Sequence, residues 1–195
     1  METSLLKKAL LTFAFMGITF NASAEWKLDN AESSIHFVST KKSNVAEIHS
    51  FEKLSGSLQA NGSANVVINL SSVETMIPIR NERMKEMLFK VEQFPESSVS
   101  TKVNYKLIDK MEAGESFTQL LQFKLTLHGE EKMVESDARV IKLANDKLLV
   151  STIKPIMIEA TDFSLGKGVE ALRKIANLPT ISTSVPVTAN LVFNK

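Results

Sequence analysis

Residues of the types that most often hold metals or cofactors are few in this sequence. The three histidines, His36, His49 and His128, are separated along the chain, and the first two fall on neighbouring predicted strands about three residues out of register. Because a metal site needs several converging ligands, we expect three unconnected histidines. The chain has no cysteine, which excludes thiolate ligands. The sequence therefore predicts no metal site and no cofactor.

Nucleophilic and acid–base catalysis have as little support. The sequence has no Gly-x-Ser-x-Gly motif, and Ser55-Gly56-Ser57 lacks the strand-to-helix context of a nucleophile elbow. The seven glycines are scattered and form no phosphate-binding loop. Carboxylates such as Glu82, Glu86 and Glu130-Glu131 fall on predicted turns and solvated faces, which argues against a buried acid–base pair. We predict no catalytic residue and no enzymatic activity.

Two arginines remain as candidates for binding a polar group. Arg80 and Arg83 lie beside a short run of apolar residues that is predicted to be helical. Solvated charge is the more common role of such side chains. The alternative is a pair with a phosphate or another polar headgroup, because a guanidinium binds phosphate through parallel N–H donors. Both interpretations stay open at the level of the sequence.

The overall charge argues against nucleic acid as a partner. The chain has 23 basic and 22 acidic residues, and 21 of each remain when Lys7, Lys8 and Glu2 of the N-terminal segment are set aside. A neutral balance gives no general attraction to nucleic acid or to an anionic membrane surface. The sequence also lacks a basic run interleaved with aromatic residues.

The N-terminal segment has the three parts of a secretory signal. Lys7 and Lys8 form a basic region, residues 9–20 an apolar core, and Ala22-Ser23-Ala24 a small-x-small cleavage site. The core is shorter than the roughly 20 residues that a membrane-spanning helix needs, so a retained anchor is the less favoured alternative. We therefore expect a signal peptide over residues 1–24 and a single domain over residues 25–195. The mature chain is expected to be periplasmic or secreted and not to span a membrane.

A helical pattern in the middle of the chain interrupts sequence that otherwise resembles strands. The apolar positions follow i, i+3, i+4, i+7 spacing and predict a short helix over residues 81–91, carrying Met84, Met87, Leu88 and Val91. Asn81 is a suitable N-cap, and Pro95 is expected to end the helical segment. The methionines either plug one end of the molecule or form an adaptable lid, because methionine repacks readily.

Alternation of apolar and polar residues predicts strands on both sides of this helix. The most regular run has one face made of Val99, Thr101, Val103, Tyr105 and Leu107. Residues 46–60 have apolar spacing that also fits a helix, but Gly56 and three serines are poor helix formers, so we predict a bulged strand. Further along the chain, His128-Gly129 predicts a hairpin turn, Pro155 predicts a bulge or an edge, and residues 168–177 predict a second short helix.

This pattern predicts an all-β fold whose strands must close around a common interior. A single open antiparallel sheet would leave its apolar face in water. A barrel and a sandwich both avoid that exposure, and the alternation alone does not separate them.

Several short motifs, taken in order, resemble the YceI-like family, which is polyisoprenoid-binding and lipocalin-like in shape. They are Trp26-x-Leu28-Asp29, Ile35-x-Phe37, the run from Ser71 to Thr75, Arg80-Asn81-Glu82-Arg83, Leu88-Phe89, Phe94-Pro95 and Asp162-Phe163. The resemblance extends over nearly the whole of residues 25–195. It implies an antiparallel barrel of about eight strands that holds a long isoprenoid or fatty chain.

The resemblance also implies that the apolar faces surround a tunnel for such a chain. For any one residue, ordinary core packing is the more common role. As a set, the candidate ligand-binding residues are Ile35, Phe37, Phe51, Ile68, Met84, Met87, Leu88, Val103, Tyr105, Phe123, Leu125 and Leu127. Arg80 and Arg83 are the candidate headgroup residues at the mouth.

Two functions from different classes follow. The first is an exported, non-enzymatic binding protein for an isoprenoid, a quinone or a fatty-chain lipid. The second is a structural or protein-interaction barrel of the cell envelope, with its interior filled by its own side chains. A homodimer is compatible with either hypothesis.

Overall fold

The computed structural model describes residues 26–195, so the signal peptide predicted for residues 1–24 lies outside the described part of the chain. Twelve β-strands form most of the structure. They are β1 (Trp26–Leu28), β2 (Ser34–Lys41), β3 (Val45–Phe51), β4 (Leu54–Leu58), β5 (Ser63–Asn69), β6 (Val73–Glu74), β7 (Glu96–Lys102), β8 (Ser116–Leu127), β9 (Glu130–Leu143), β10 (Lys147–Thr152), β11 (Ile156–Glu159) and β12 (Ser184–Asn194).

These strands make eight wall segments, because several neighbouring strands continue along one path. β1 and β2 both pair with β12, through Leu28 opposite Phe193 and Ile35 opposite Ala189. In the same way β3 continues into β4, β5 into β6, and β10 into β11. The predicted bulged strand over residues 46–60 is this β3–β4 path, with its break at Glu52 and Lys53.

The eight wall segments form a closed antiparallel barrel. Each segment pairs with the next one along the chain, from β1/β2 through β3/β4, β5/β6, β7, β8, β9 and β10/β11 to β12. β12 then pairs with β1 and β2, which closes the wall. The all-β, eight-stranded, lipocalin-like fold class predicted from the sequence is therefore confirmed. The sandwich is excluded, because one sheet closes on itself.

Three helices and three single helical turns lie at the two ends of the barrel. The helices are α1 (Pro78–Arg83), α2 (Tyr105–Lys110) and α3 (Gly166–Ile175). The turns are two 3-10 segments, Leu70–Ser72 and Ala160–Phe163, and a π-helical segment, Met84–Phe89, that continues α1. α1, the π-helical segment and α3 lie at one end, here called the helical end, and α2 lies at the other, the α2 end.

The central helix differs from its prediction at both ends. It begins at Pro78, with Ile77 as its N-cap, and the helical stretch ends at Phe89, where Lys90 adopts a left-handed conformation. Asn81 therefore lies inside the helix, and its buried amide accepts the backbone N–H of Thr75 at 2.9 Å. Through this hydrogen bond Asn81 connects the loop that precedes α1 to the helix, and it does not cap the helix.

The regular strand predicted from Val99 to Leu107 ends earlier than expected. β7 stops at Lys102, and Tyr105 and Leu107 belong to α2. Asn104 is the N-cap of α2, and its side chain accepts the N–H of Leu107 at 3.4 Å. Local capping by Asn104 therefore overrides the alternation of residues 103–107.

The remaining predictions for the second half of the chain hold with small shifts. His128 and Gly129 form the turn between β8 and β9, and both have positive φ, as a two-residue hairpin turn requires. Pro155 lies in the break between β10 and β11. The second helix covers Gly166–Ile175, two residues earlier than the predicted 168–177.

Candidate functional site

The barrel encloses a cavity of about 280 Å³ whose wall is almost entirely apolar. It forms because alternate side chains of every wall segment point inward, as the two-residue period of a strand requires. Ligand pockets in proteins commonly have volumes of about 300–1,000 Å³, so this cavity lies near the lower limit of that range. The interior is therefore not filled by the protein's own side chains.

Nine of the twelve predicted ligand-binding residues line the cavity. They are Ile35, Phe37, Phe51, Ile68, Leu88, Val103, Phe123, Leu125 and Leu127. Most of them lie on strands where simple alternation identifies the inward face. Whether they bind a ligand stays a prediction, but the structure brings them together around one space.

Met84, Met87 and Tyr105 are not among the residues that line the cavity. Met84 is buried in the surrounding core, whereas Leu88 and Phe89 of the same segment reach the cavity. The π-helical turn adds a residue to the helical repeat and shifts the apolar stripe toward its C-terminal end. Tyr105 packs at the α2 end, because it belongs to α2 and not to β7.

Much of one wall of the cavity consists of residues that were not predicted as ligand-binding from the sequence. Its residues are on β9, β10, β11 and β12: Val140, Val150, Ile156, Ile158, Val185, Val187, Ala189 and Leu191. The alternation of residues 181–193 was a sufficient signal for β12. β11 was harder to identify, because it has only four residues and follows a proline.

A few hydroxyl groups also reach the cavity wall, and most of them are bonded to the backbone. Ser97 Oγ donates to Thr126 O at 2.8 Å, and Thr152 Oγ1 accepts the N–H of Ala189 at 3.2 Å. A hydroxyl that is already paired offers little to a polar ligand. The arrangement therefore favours a hydrocarbon, with each buried methylene contributing about 0.8 kcal/mol.

The α2 end is closed by large buried side chains. Trp26, Ile108 and Leu148 belong to one core cluster there, with Ile108 2% and Leu148 0% exposed. The Nζ of Lys142 lies 4.4 Å from the centre of the Trp26 ring, where a cation is attracted by the ring face. This end of the barrel is a packed plug.

The helical end is covered by two helical segments that pack backbone to backbone. Leu88 and Phe89 of the π-helical segment and Leu165 and Val169 near α3 border the cavity there. A Cβ placed on Gly168 would lie 2.8 Å from the Cα of Leu88. The two segments approach this closely because residue 168 has no side chain.

Arg80 is engaged in contacts within the protein. Its guanidinium donates to Glu47 Oε2 on β3 at 2.7 Å and also to the backbone carbonyl of Thr75. Lys41, followed by Arg80, holds the pKa of the Glu47 carboxyl below its usual value. The Arg80 side chain is 25% exposed, so it braces β3 against α1 and still reaches solvent. Arg83 is half-buried on the same helix.

The histidines do not converge. His49 lies opposite Phe37, so the register differs by one residue from a direct His36–His49 pair, not by the predicted three, and the two side chains face opposite sides of the wall. Burial, followed by the charge of Arg80, lowers the pKa of His49. Among residues 26–195, no group of three potential ligands is arranged to hold a metal ion. In the same residues, no helix is both long enough and apolar enough to cross a bilayer.

Comparison with known families agrees with this architecture. The model of the YceI-like domain matches residues 26–193. The chain belongs to the YceI-like family. Comparison with curated proteins found no significant match.

Solved structures place this YceI-like chain among others of the same shape. A polyisoprenoid binding domain from Saccharophagus degradans, implicated in plant cell wall breakdown, superposes with a TM-score of 0.85 and 36% identity over 87% of this chain and 97% of that one. BcnA from Burkholderia cenocepacia superposes with a TM-score of 0.66 and 20% identity over 85% and 98% of the two chains. The second likeness concerns the fold alone.

Proposed function

We propose that this YceI-like protein is an exported, non-enzymatic binding protein that holds a long isoprenoid or similar amphiphilic lipid inside its barrel. The observation that carries the proposal is the apolar cavity of about 280 Å³ within a closed wall. A slender hydrocarbon gains free energy by leaving water for such a space, and the gain grows with its length. The polyisoprenoid binding described for the Saccharophagus degradans domain, 36% identical, supports the same ligand class.

Export is part of the proposal because of the N-terminal segment. Residues 1–24 have the basic region, apolar core and cleavage site of a secretory signal. A periplasmic or secreted location would bring the protein next to membranes, where long-chain isoprenoids, quinones and fatty chains are found. Fractionation of cells with an antibody to the mature chain, together with the mass of its N-terminus, tests this.

The absence of a catalytic arrangement among the described residues supports a binding role. The cavity wall presents hydroxyls of Ser97, Thr101, Ser136, Ser151 and Thr152 but carries no histidine or carboxylate. A hydroxyl without a neighbouring base is a poor nucleophile. Ligand turnover is therefore not expected, and a bound lipid recovered after incubation should be chemically unchanged.

Native mass spectrometry of protein purified from its own cell envelope tests the binding function. We expect one lipid per barrel, released intact on denaturation. As a second measurement, titration with geraniol, farnesol and geranylgeraniol should show affinity that rises with chain length until the cavity is full. Empty protein from the envelope, together with no binding of any of the three alcohols, would overturn the proposal.

A surface role is the second candidate, and one observation favours it. Met76, Ile77 and Ile79, in and before α1, and Ile48 on β3 are exposed apolar residues, with Met76 87% exposed. Exposed patches of this kind often mark contacts with other molecules. Sedimentation of the pure protein tests a homodimer, and isolation from envelope extract tests a stoichiometric protein partner. Neither contact requires an empty barrel.

A further inference from the structure

The hydrogen-bonded wall of the barrel is interrupted between β9 and β11. β9 pairs with β10 from Ala138 to Leu143, and β11 pairs with β12. Residues 130–136 of β9 pair with β8 on one side, and in the described part of the chain no strand pairs with their other side. The turn at Ile153–Pro155 separates β10 from β11, so the β9–β10 ladder does not continue along β11. Pro155 also has no N–H to donate.

This interruption, here called the β9–β11 slit, has defined limits. At its lower limit the N–H of Ile153 donates to Asp137 O at 3.1 Å, and Lys154 Nζ lies 3.4 Å from Asp137 Oδ2. At its upper limit Ser164 Oγ donates to Glu130 Oε1 at 2.9 Å. Residues 131–136 lie between these limits, a stretch of strand roughly 20 Å long whose outer edge has no strand partner.

Apolar side chains lie on the inner and the outer side of the slit, next to the polar residues Ser136 and Glu135. Ser136 of β9 and Ile156 and Ile158 of β11 line the cavity directly behind it. On the outer surface, Met133 is 67% exposed and Met157 is 58% exposed. Methionine adapts to irregular apolar chains, so these rims suit a hydrocarbon that passes between them.

The other routes to the cavity are obstructed. The α2 end is plugged by Trp26, Ile108 and Leu148, and the helical end is covered by segments in backbone contact at Gly168. A second gap in the wall lies between β7 and β8, where β8 pairs with β7 from Phe123 to Thr126 and not before. The N-terminus of α2 lies at that gap, because the N–H of Asn104 donates to Gln119 Oε1 of β8 at 3.4 Å, and Ile108 of α2 is buried. At the β9–β11 slit the 3-10 turn Ala160–Phe163 packs against β9, and among residues 26–195 none of the helices α1, α2 and α3 packs comparably against β9 or β11.

We propose that the β9–β11 slit is the portal through which a hydrocarbon chain enters and leaves the barrel. This inference rests on the proposed lipid-binding function. Widening the slit breaks no strand-to-strand ladder, and the contacts at its limits are exposed polar ones, which are weak in water. Opening either end of the barrel would instead expose buried core residues. Lateral access also means that a lipid can slide out of a membrane sideways, without first exposing its whole length to water.

A crosslink across the slit tests the portal directly. The chain has no cysteine, so Glu135→Cys with Met157→Cys gives two unique thiols, one on each rim, that a short bis-maleimide can join. Glu135 and Met157 are both exposed and point away from the cavity. The matched control is Glu135→Cys with Gln122→Cys, because Gln122 lies directly opposite Glu135 on the paired strand β8. The control crosslink leaves the slit free.

The measurement is the rate at which cis-parinaric acid, a fluorescent fatty-chain probe, enters the empty barrel and leaves the loaded one for vesicles. We expect the slit crosslink to slow uptake and release by about tenfold or more, with an unchanged dissociation constant, because a gate alters rates and not the end states. The control crosslink should change neither rate. Unaltered rates in fully crosslinked slit protein would overturn the portal while leaving lipid binding intact. No binding of the probe by the unmodified protein would instead count against the proposed function.

Discussion

Gly168 on α3 packs against the backbone of Leu88 so closely that a Cβ on residue 168 would lie 2.8 Å from the Leu88 Cα and 2.8 Å from the Met87 carbonyl oxygen. Backbone atoms on the opposite side cannot move aside as a flexible side chain does. This single contact fixes the distance between the two helical segments that cover one end of the cavity.

The substitution Gly168→Ala should therefore destabilise the protein, although alanine favours a helix. Overpacking of this kind costs about 1–3 kcal/mol, against about 1 kcal/mol gained in helix propensity. Denaturant unfolding measures the difference. Gly166→Ala is the control, because its Cβ would meet only the Cγ2 of Thr161, at 3.2 Å, and it should be close to neutral. Equal stability of both variants would contradict the proposed tight contact.

Filling the cavity should weaken lipid binding without unfolding the barrel. Ala189 on β12 lines the cavity, and Ala189→Phe would place a ring in space that is now empty. We expect at least about a tenfold loss of affinity for farnesol, the equivalent of about 1.4 kcal/mol, and a small change in the unfolding midpoint. Isothermal titration and thermal unfolding of the same samples check both parts. Binding at the wild-type affinity would place the ligand elsewhere.

The headgroup role of Arg80 and Arg83 predicts a difference between charged and neutral ligands. Arg80→Ala and Arg83→Ala should each weaken binding of farnesyl phosphate by about tenfold, since a hydrogen bond to a charged group is worth about 1.5–3 kcal/mol. Binding of farnesol should be unchanged. Equal losses for both ligands with Arg80→Ala would show that the substitution acts by releasing Glu47, and would remove the headgroup role.

The stability of the protein should fall as the pH falls from about 6.5 toward 5, partly because of His49. Burial lowers the pKa of this residue, so the unfolded chain takes up a proton in this range before the folded protein does. Burial likewise lowers the pKa of His128, which contributes in the same direction. His49→Gln removes one of the two groups and should reduce the slope of unfolding free energy against pH. An unchanged slope would mean that His49 is protonated equally in both states.

Simple periodicity was sufficient for the all-β class and for the inward faces of several strands, whereas the choice of a barrel over a sandwich came from the resemblance to the YceI-like family. Ile35, Phe37 and Phe123 are on strands whose alternation continues without interruption, so the inward face could be predicted from the sequence. Tyr105 does not line the cavity, because Asn104 caps a helix at the point where the alternation continues in the sequence. Met84 and Met87 do not line the cavity, because a π-helical turn shifts the apolar stripe, and helical spacing in the sequence does not predict such a turn.

The cavity and the slit could not be predicted from sequence patterns, for a different reason. Whether an eight-stranded barrel is filled depends on how its walls bend, and here the bends occur at breaks such as Glu52-Lys53 and Ile153–Pro155. Pro155 signalled an irregularity in the strand. That this irregularity opens the wall depends on β9, which precedes it by more than ten residues.

Because each wall segment pairs with its sequence neighbour, the seam between β12 and the β1/β2 segment is the one ladder joining the beginning of the barrel to its end. The wall of the barrel therefore cannot close without residues 184–194. Before β12 pairs with β1 and β2, the apolar inner face of the sheet is not enclosed. If the barrel holds a lipid as proposed, it could retain one only after the last strand is in place, so completion of the polypeptide would be the step that creates the binding site.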